Sequence, residues 1–234
     1  MIKQSKLLSV VLSVAVALLI LSSSVAVPIL CRPFYYAHID AMGLEEYIGL
    51  DESYIRQAYD EMLDFCVGKT DEFSTGILRW SESGRDHFVD VRKLFILDLW
   101  VMGLSAAVLV ADLILRSRRK VQPYRFLGRG AGFWAAAGLG GVFTVVGLLA
   151  AIDFDRAFVV FHTLFFPGKD NWIFDWRTDP IILILPQDFF RNCAILIVAL
   201  LLMWCAVLVI ADLWLGKQLR PRCGMPINNP NKNK

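Results

Sequence analysis

The sequence has few charges, few histidines and no signature of phosphate or peptidase chemistry. Of its 234 residues only 20% are charged, and three are histidine. It contains no HExxH run, Gly-rich phosphate loop or Ser-His-Asp order, so ATP-driven and classical metallopeptidase chemistry are unsupported. Its five cysteines include no CxxC pair, which argues against a cysteine metal site. Low-complexity sequence is confined to the polar end NNPNKNK, which reads as a frayed tail. What the chain has instead is apolar: 56% of its residues, against about 45–50% for an ordinary soluble domain. That balance excludes disorder and an ordinary soluble enzyme.

The excess is gathered into four stretches nearly free of charge, residues 7–30, 94–115, 130–151 and 191–215. Spanning a bilayer core takes about 20 helical residues, and each stretch suffices. Irregular backbone cannot face lipid, so each is read as a helix. The first is too long for the h-region of a cleaved signal peptide and is expected to be retained. A lipoprotein site at Cys31 is rejected because Leu30 is bulky where such sites carry a small residue. The fold class is an all-α membrane protein: four transmembrane helices and a small extracytoplasmic domain made from two loops, with residues 1–234 forming one integral membrane domain.

The net charge of +2 conceals a segregation. Residues 1–6, 116–129 and 216–234 carry 13 basic residues and no acid, whereas 31–93 and 152–190 carry 19 acids against 10 basic residues. Short Lys- and Arg-rich segments stay in the cytoplasm, which places both termini and the 116–129 loop there and the two longer loops outside. The basic residues are topology signals and no argument for a nucleic-acid partner. Three acids fall inside the spans. Asp112 is expected to pair with Arg116 at i+4, and Asp212 to reach Lys217 or the headgroups. Asp98 has no basic residue at i+4.

Outside the membrane, Cys31 and Cys66 are free to form a disulfide, but spacing does not show that they meet; Cys223 is expected to be cytoplasmic and reduced. Ile55, Ala58, Tyr59, Met62 and Cys66 mark one face of an amphipathic helix over 51–68, capped by Asp51 and ended by Gly68. The 63-residue loop is too small to bury a large core alone, so it is expected to pack on the other outer loop. In that second loop Phe154, Phe158, Phe161 and Phe165 recur at helical spacing and suit the bilayer interface. The run Ile181–Leu185 between Pro180 and Pro186 is too short to span and reads as a strand or a shallow re-entrant piece.

All three histidines, His38, His87 and His162, fall in the outer loops. Ser83 with Asp86 reads as a capping box, which starts a helix that runs without a breaker into the second span. His87 then sits in its first turn, about 10 Å above Leu94 at about 1.5 Å per residue. That is the layer of lipid ester groups. The positive end of the helix favours neutral imidazole, the form a base needs, and Asp90 one turn on can orient the ring. His162 lies among phenylalanines and must hydrogen-bond or lose its charge. A metal site from His87, Asp90 and His162 lacks a further strong ligand. A satisfied interfacial histidine is the bland alternative for each residue alone. Together, two imidazoles at ester depth suit acid–base work on a lipid carbonyl. His38 has no supporting pattern.

The run HFVDV and the run FHTLFFPGKDNWIFDWRTDPIILILPQDFF resemble motifs of the lipoprotein intramolecular transacylases, a family of four-helix bacterial membrane proteins. The resemblance covers helix number, loop lengths and topology over nearly the whole chain. It implies an enzyme of the bacterial cell membrane that moves the sn-2 acyl chain of a diacylglyceryl lipoprotein to the amine of its N-terminal cysteine, leaving a lyso-form lipoprotein. The family's two functional histidines fall on His87 and His162, with Asp90 in support. Phe166 and Trp172 are the expected substrate contacts. The implied partners are diacylglyceryl-modified lipoproteins and the bilayer, and the chemistry requires no cofactor. Competing readings are a non-enzymatic membrane protein that binds lipid or a partner, and a lipid ester hydrolase.

The charge segregation makes a direct prediction. In intact cells an impermeant thiol reagent should modify a cysteine placed at Lys69 and spare one placed at Lys232. The opposite pattern would invert the topology and move both histidines off the outer face.

Overall fold

The computed structural model describes residues 3–116, 118 and 121–218, with side chains to Leu215. The Lys217 side chain and Cys223, with the rest of the C-terminal tail, lie outside the described part. In chain order the elements are β1 Lys3–Ser5, α1 Lys6–Leu30, α2 Arg32–Ala41, α3 Leu44–Ile48, α4 Glu52–Cys66 and α5 Glu82–Leu115. They continue with β2 Val121–Pro123, α6 Ala131–Ile152, α7 Phe154–Phe165, α8 Ile181–Ile184 and α9 Gln187–Gln218. The four long helices α1, α5, α6 and α9 contain the four predicted spans, and all are long and apolar enough to cross a membrane.

α1 is the axis of the bundle, packing against α5, α6 and α9. A third of its apolar window is buried, 33% against 6–11% for the other three. The outer helices turn Leu97, Trp100, Leu148 and Ile210 outward, where lipid is a suitable solvent for them. In bilayers, helices associate by close backbone approach rather than by the hydrophobic effect. The α6–α9 seam follows that rule. A Cβ on Gly140 would stand 3.3 Å from Cys205 Cβ, and one on Gly147 would stand 3.2 Å from Val198 Cγ1. At the other face of the bundle from the histidines, β1 pairs in parallel with β2, Lys3 opposite Val121, and ties the N-terminus to the 116–129 loop. Asp112 pairs with Arg116 at 3.4 Å as its i+4 spacing predicts. Asp212 binds Arg125, Arg129 and the Gly130 N–H. Its observed partners therefore come from the basic loop, a pairing across 83–87 residues that local spacing does not reveal.

The two longer loops, 31–93 and 152–190, close over the bundle as a cap with its own core. α4 buries the predicted face, Ile55, Ala58, Tyr59, Met62 and Cys66. Asp51 caps it by accepting from Ser53 N, and Gly68 follows it at φ +80°. Tyr35 of α2 stacks on Tyr59 at 3.6 Å and donates its hydroxyl to the Ile184 carbonyl at 2.8 Å. The second loop thereby enters the core of the first. Cys31 and Cys66 are both free thiols, one exposed and one buried. Two local expectations are corrected. Ile181–Leu185 is neither strand nor re-entrant: it forms the single turn α8, with Ile181, Ile184 and Leu185 buried in the cap. Two flanking prolines exclude a strand ladder, and the cap core takes up its apolar side chains.

The second correction concerns the start of α5. Ser81, not Ser83, is the N-cap, accepting from Gly84 N at 3.0 Å. His87 accordingly sits in the second turn. The cap residue was shifted by a partner 98 residues away: Asp179 accepts from Ser81 N at 2.7 Å and from Ser81 Oγ at 2.8 Å. Asp179 also accepts from Thr178 Oγ1 and is 3% exposed. Gly84 makes room for it. A Cβ there would collide with Asp179 Oδ1 and stand 2.9 Å from its Cγ and 3.1 Å from Phe174 Cε1. Gly84→Ala should therefore lower stability by about 1–3 kcal/mol, the usual range for overpacking a tight contact. Gly103→Ala in the same helix meets nothing within 4 Å and should be neutral or mildly stabilising. Thermal unfolding of both variants in detergent compares them directly, and equal melting points would refute the tight seat at Gly84.

Candidate active site

Two elements bring His87 and His162 together. His87 projects from the second turn of α5, above the apolar part that begins at Leu94, and His162 projects from the last turn of α7. Their ring centroids lie 5.9 Å apart, within the roughly 10 Å that a shared carbonyl between them requires. Both are buried. His38 is elsewhere, on α2, with Nδ1 against the Phe34 carbonyl and Nε2 against Asn192.

The surroundings of the pair are aromatic. Phe166 lies 4.9 Å from His87 and 5.8 Å from His162. Phe174 contributes an edge to His87, Phe158 leans on His162, and Trp172 stacks on His162 at 4.5 Å and 25°. Trp172 is half-buried and offers part of its surface. Phe166 is 4% exposed, so it forms the wall behind both rings and has little face left for an acyl chain.

The hydrogen bonds set the tautomer of one ring. His162 Nδ1 lies 2.7 Å from the Phe158 carbonyl, which can only accept. Nδ1 therefore carries the hydrogen, and Nε2 is left with a free lone pair. The electrostatics keep both rings neutral. Burial pushes His87 down to about 4, and the neighbouring His162 pushes it further in the same direction. Burial also lowers His162, against the opposing pull of the Phe158 carbonyl. Because a charge on His162 disfavours one on His87, the pair does not hold two positive charges at once near neutral pH.

Asp90 does not orient the His87 ring through a hydrogen bond. Its carboxylate accepts from Lys93 Nζ at 2.9 Å and from Lys169 Nζ. Burial tends to raise it, but the two ammonium groups hold it below the usual carboxylate range. Asp90 instead pins the loop after α7, whose Lys169 carbonyl accepts from Trp172 Nε1 at 3.1 Å. Lys169, Asp179 and Asn171, whose side chain interacts with His87, thus border the pair, and sequence reasoning missed all three. The one signal available was their place inside the long second run, between Phe166 and Pro180. Among the described residues no group of three His, Cys, Asp or Glu side chains is placed to hold a metal.

Comparison with known proteins matches the chain to a family. A family model described as lipoprotein intramolecular transacylase Lit matches residues 10–190. A solved structure of the membrane-integral lipoprotein intramolecular transacylase from Bacillus cereus is 26% identical, with a TM-score of 0.78 over 91% of this chain and 95% of its own. Structures of that protein with one histidine replaced by arginine or by alanine share the fold, at 24% identity and TM-scores of 0.72 and 0.73. They cover 91% of this chain and 92% and 93% of their own. No curated protein matches.

Burial of neutral imidazole links stability to pH. The folded His87 value of about 4 lies below the ordinary value of about 6.5. The stability it contributes is full above about pH 6.5 and is lost as pH falls through about 4, a total of about 3 kcal/mol. His162 acts with the same sign. Melting temperatures in detergent should fall between about pH 6.5 and about 4 for the parent and less steeply for His87→Gln. Identical slopes would show that His87 is not held neutral by its surroundings.

Proposed function

The chain belongs to the lipoprotein intramolecular transacylase family, and on that premise we propose how its outer histidines move the acyl chain. It is an integral membrane enzyme acting on bacterial lipoproteins. The substrate assigned here is a diacylglyceryl-modified lipoprotein. Its N-terminal amine attacks the carbonyl carbon of its own sn-2 ester. A C–N bond forms and the C–O bond to glycerol breaks. One proton leaves the nitrogen and one arrives on the glyceryl oxygen, so the balance closes within one substrate.

The observation that carries this reading is the convergence of two buried imidazoles at 5.9 Å, one with a fixed tautomer. His162 Nε2 is the base that takes the amine proton. His87, neutral and adjacent, presents an N–H to the carbonyl oxygen as charge develops on it, and the pair returns the proton to the leaving glyceryl oxygen. The aromatic surroundings keep water out, so that aminolysis outruns hydrolysis. Because nucleophile and ester share one molecule, orientation supplies much of the acceleration. Asp90 positions the catalytic loop through Lys169, Trp172 holds the His162 ring and borders the acyl chain, and Phe166 closes the back of the site.

Orientation in the membrane follows the same argument. α5 carries His87 near its first residues and runs into the basic 116–129 loop at its last. The histidines and the basic residues therefore occupy opposite ends of the bundle. With basic segments cytoplasmic, the site faces the outer leaflet, where diacylglyceryl groups are anchored, and both termini lie in the cytoplasm of the bacterial plasma membrane.

His162→Gln keeps polarity and approximate size but cannot shuttle a proton. At matched protein level it should lower N-acylated lyso-lipoprotein by about 10²–10⁴-fold, read by mass spectrometry of a model lipoprotein. His87→Gln should fail similarly, the double variant should be no worse than the more damaging single one, and His38→Gln should match the parent. Undiminished product from His162→Gln would refute the proton-transfer role. Free fatty acid in place of N-acyl product would identify a hydrolase.

A further inference from the structure

Two buried polar atoms at this site have no hydrogen-bond partner among the described residues: His87 Nδ1 and Asn171 Oδ1. Native proteins satisfy about nine in ten buried polar atoms, so an orphan pair beside a reacting centre needs a reason. Asn171 sits in a built loop. On one side Lys169 is held by Asp90, and on the other Trp172 stacks on His162. The Asn171 side chain stands close enough to His87 to bias the ring toward its protonated form. The orphan oxygen therefore stands beside His87, in the loop whose next residue, Trp172, stacks on His162.

We propose that Asn171 Oδ1 binds the attacking amine of the substrate and aims its lone pair at the ester carbonyl. This rests on the transacylase chemistry proposed above. An amide oxygen only accepts, so its ligand must bring an N–H or O–H. Around the scissile bond the ester oxygens and carbonyls are acceptors. The donors are the α-amine and, one peptide unit on, the N–H of the next residue. A neutral primary amine has two N–H bonds and one lone pair in tetrahedral array. With one N–H on His162 Nε2 and the other on Asn171 Oδ1, the lone pair is left pointing away from both acceptors, toward the carbonyl. His162 Nε2 removes the first proton during attack; the second N–H remains on Asn171 and becomes the N–H of the product amide. No proton is transferred to Asn171, which makes it a substrate-binding residue whose effect is orientation.

The test uses the full chain in detergent and three diacylglyceryl lipopeptides: one with a free α-amine, one N-methylated at that amine, and one N-methylated at the following peptide nitrogen. Mass spectrometry gives kcat/KM for N-acyl product. The parent should prefer the first over the second by roughly tenfold, the size of one hydrogen bond, and should treat the third like the first. Asn171→Leu removes the acceptor at nearly constant size. It should lose roughly tenfold on the free amine and no longer discriminate between the first two peptides. Asn171→Asp retains an acceptor and should retain the preference. Should the Leu variant not give a cooperative melt, Asn171→Ala takes its place in the same comparison. Parental discrimination in a folded variant without the acceptor would overturn the assignment, as would a parent that rejects the third peptide instead of the second. His162→Gln, measured on the same peptides, tests the underlying chemistry separately: parental rates there would sink the base assignment while leaving the Asn171 preference readable.

Discussion

The site depends on one seat, the carboxylate of Asp179 against the first turn of α5. There it accepts from Ser81 N and Ser81 Oγ, and only the bare Cα of Gly84 lets it in. A carboxylate at a helix N-terminus satisfies donors that the helix itself cannot, and it complements the positive end of the helix dipole. It also anchors the second outer loop 98 residues downstream. A second tie, from Lys169 to Asp90, holds the same loop two turns further along α5. Between these ties Phe174, Trp172 and Phe166 are pressed onto the histidines. The proximity of His87 and His162 follows from this two-point attachment, since among the described residues no hydrogen bond joins α5 directly to α7.

The polarity of the surroundings then decides what the rings do. In water an imidazole near neutral pH is a mixture of charged and neutral forms. Buried among phenylalanines and beside another imidazole, both rings are driven toward neutrality. The same apolar shell limits the water that competes with an amine for an acyl carbon. In the proposed mechanism burial serves base strength and product choice together, and the adjacent ammonium of Lys169 is paired with Asp90.

The membrane part is a platform for this cap. α1 sits at the centre, with α6 and α9 close-packed through Gly140 and Gly147, while α5 stands against α1 and rises out of the bilayer as a single 34-residue helix. A helix that continues unbroken from lipid into the cap holds His87 at a set height, where a loop would not. α7, half-exposed and carrying Phe161 and Phe165 outward, brings His162 within 5.9 Å of His87. The positions of both rings are thus set by helices, one of them long and apolar enough to cross a membrane.

The letters of the chain were enough for what depends on local period or length. Four nearly uncharged stretches of sufficient length are helices because lipid leaves the backbone no other partner. The apolar face of α4 and the aromatic face of α7 were legible because 3.6-residue periodicity is a local property. His87 and His162 stood out by type and depth, and by the two runs that resemble the transacylase motifs. The start of α5, the turn at Ile181–Ile184 and the partners of Asp212 were not legible. Each is decided by a residue tens of positions away, and a capping serine looks the same at 81 or 83 until Asp179 selects one. Likewise, Asp90 at i+3 from His87 suggested an orienting bond, yet its charge was claimed by Lys93 and by Lys169 of the other loop. Which nitrogen carries the proton, which carboxylate meets which cation, and which buried atoms are left unpaired are properties of three-dimensional proximity. They depend on distances of a few ångströms between segments that the linear order keeps apart, so only the folded chain settles them.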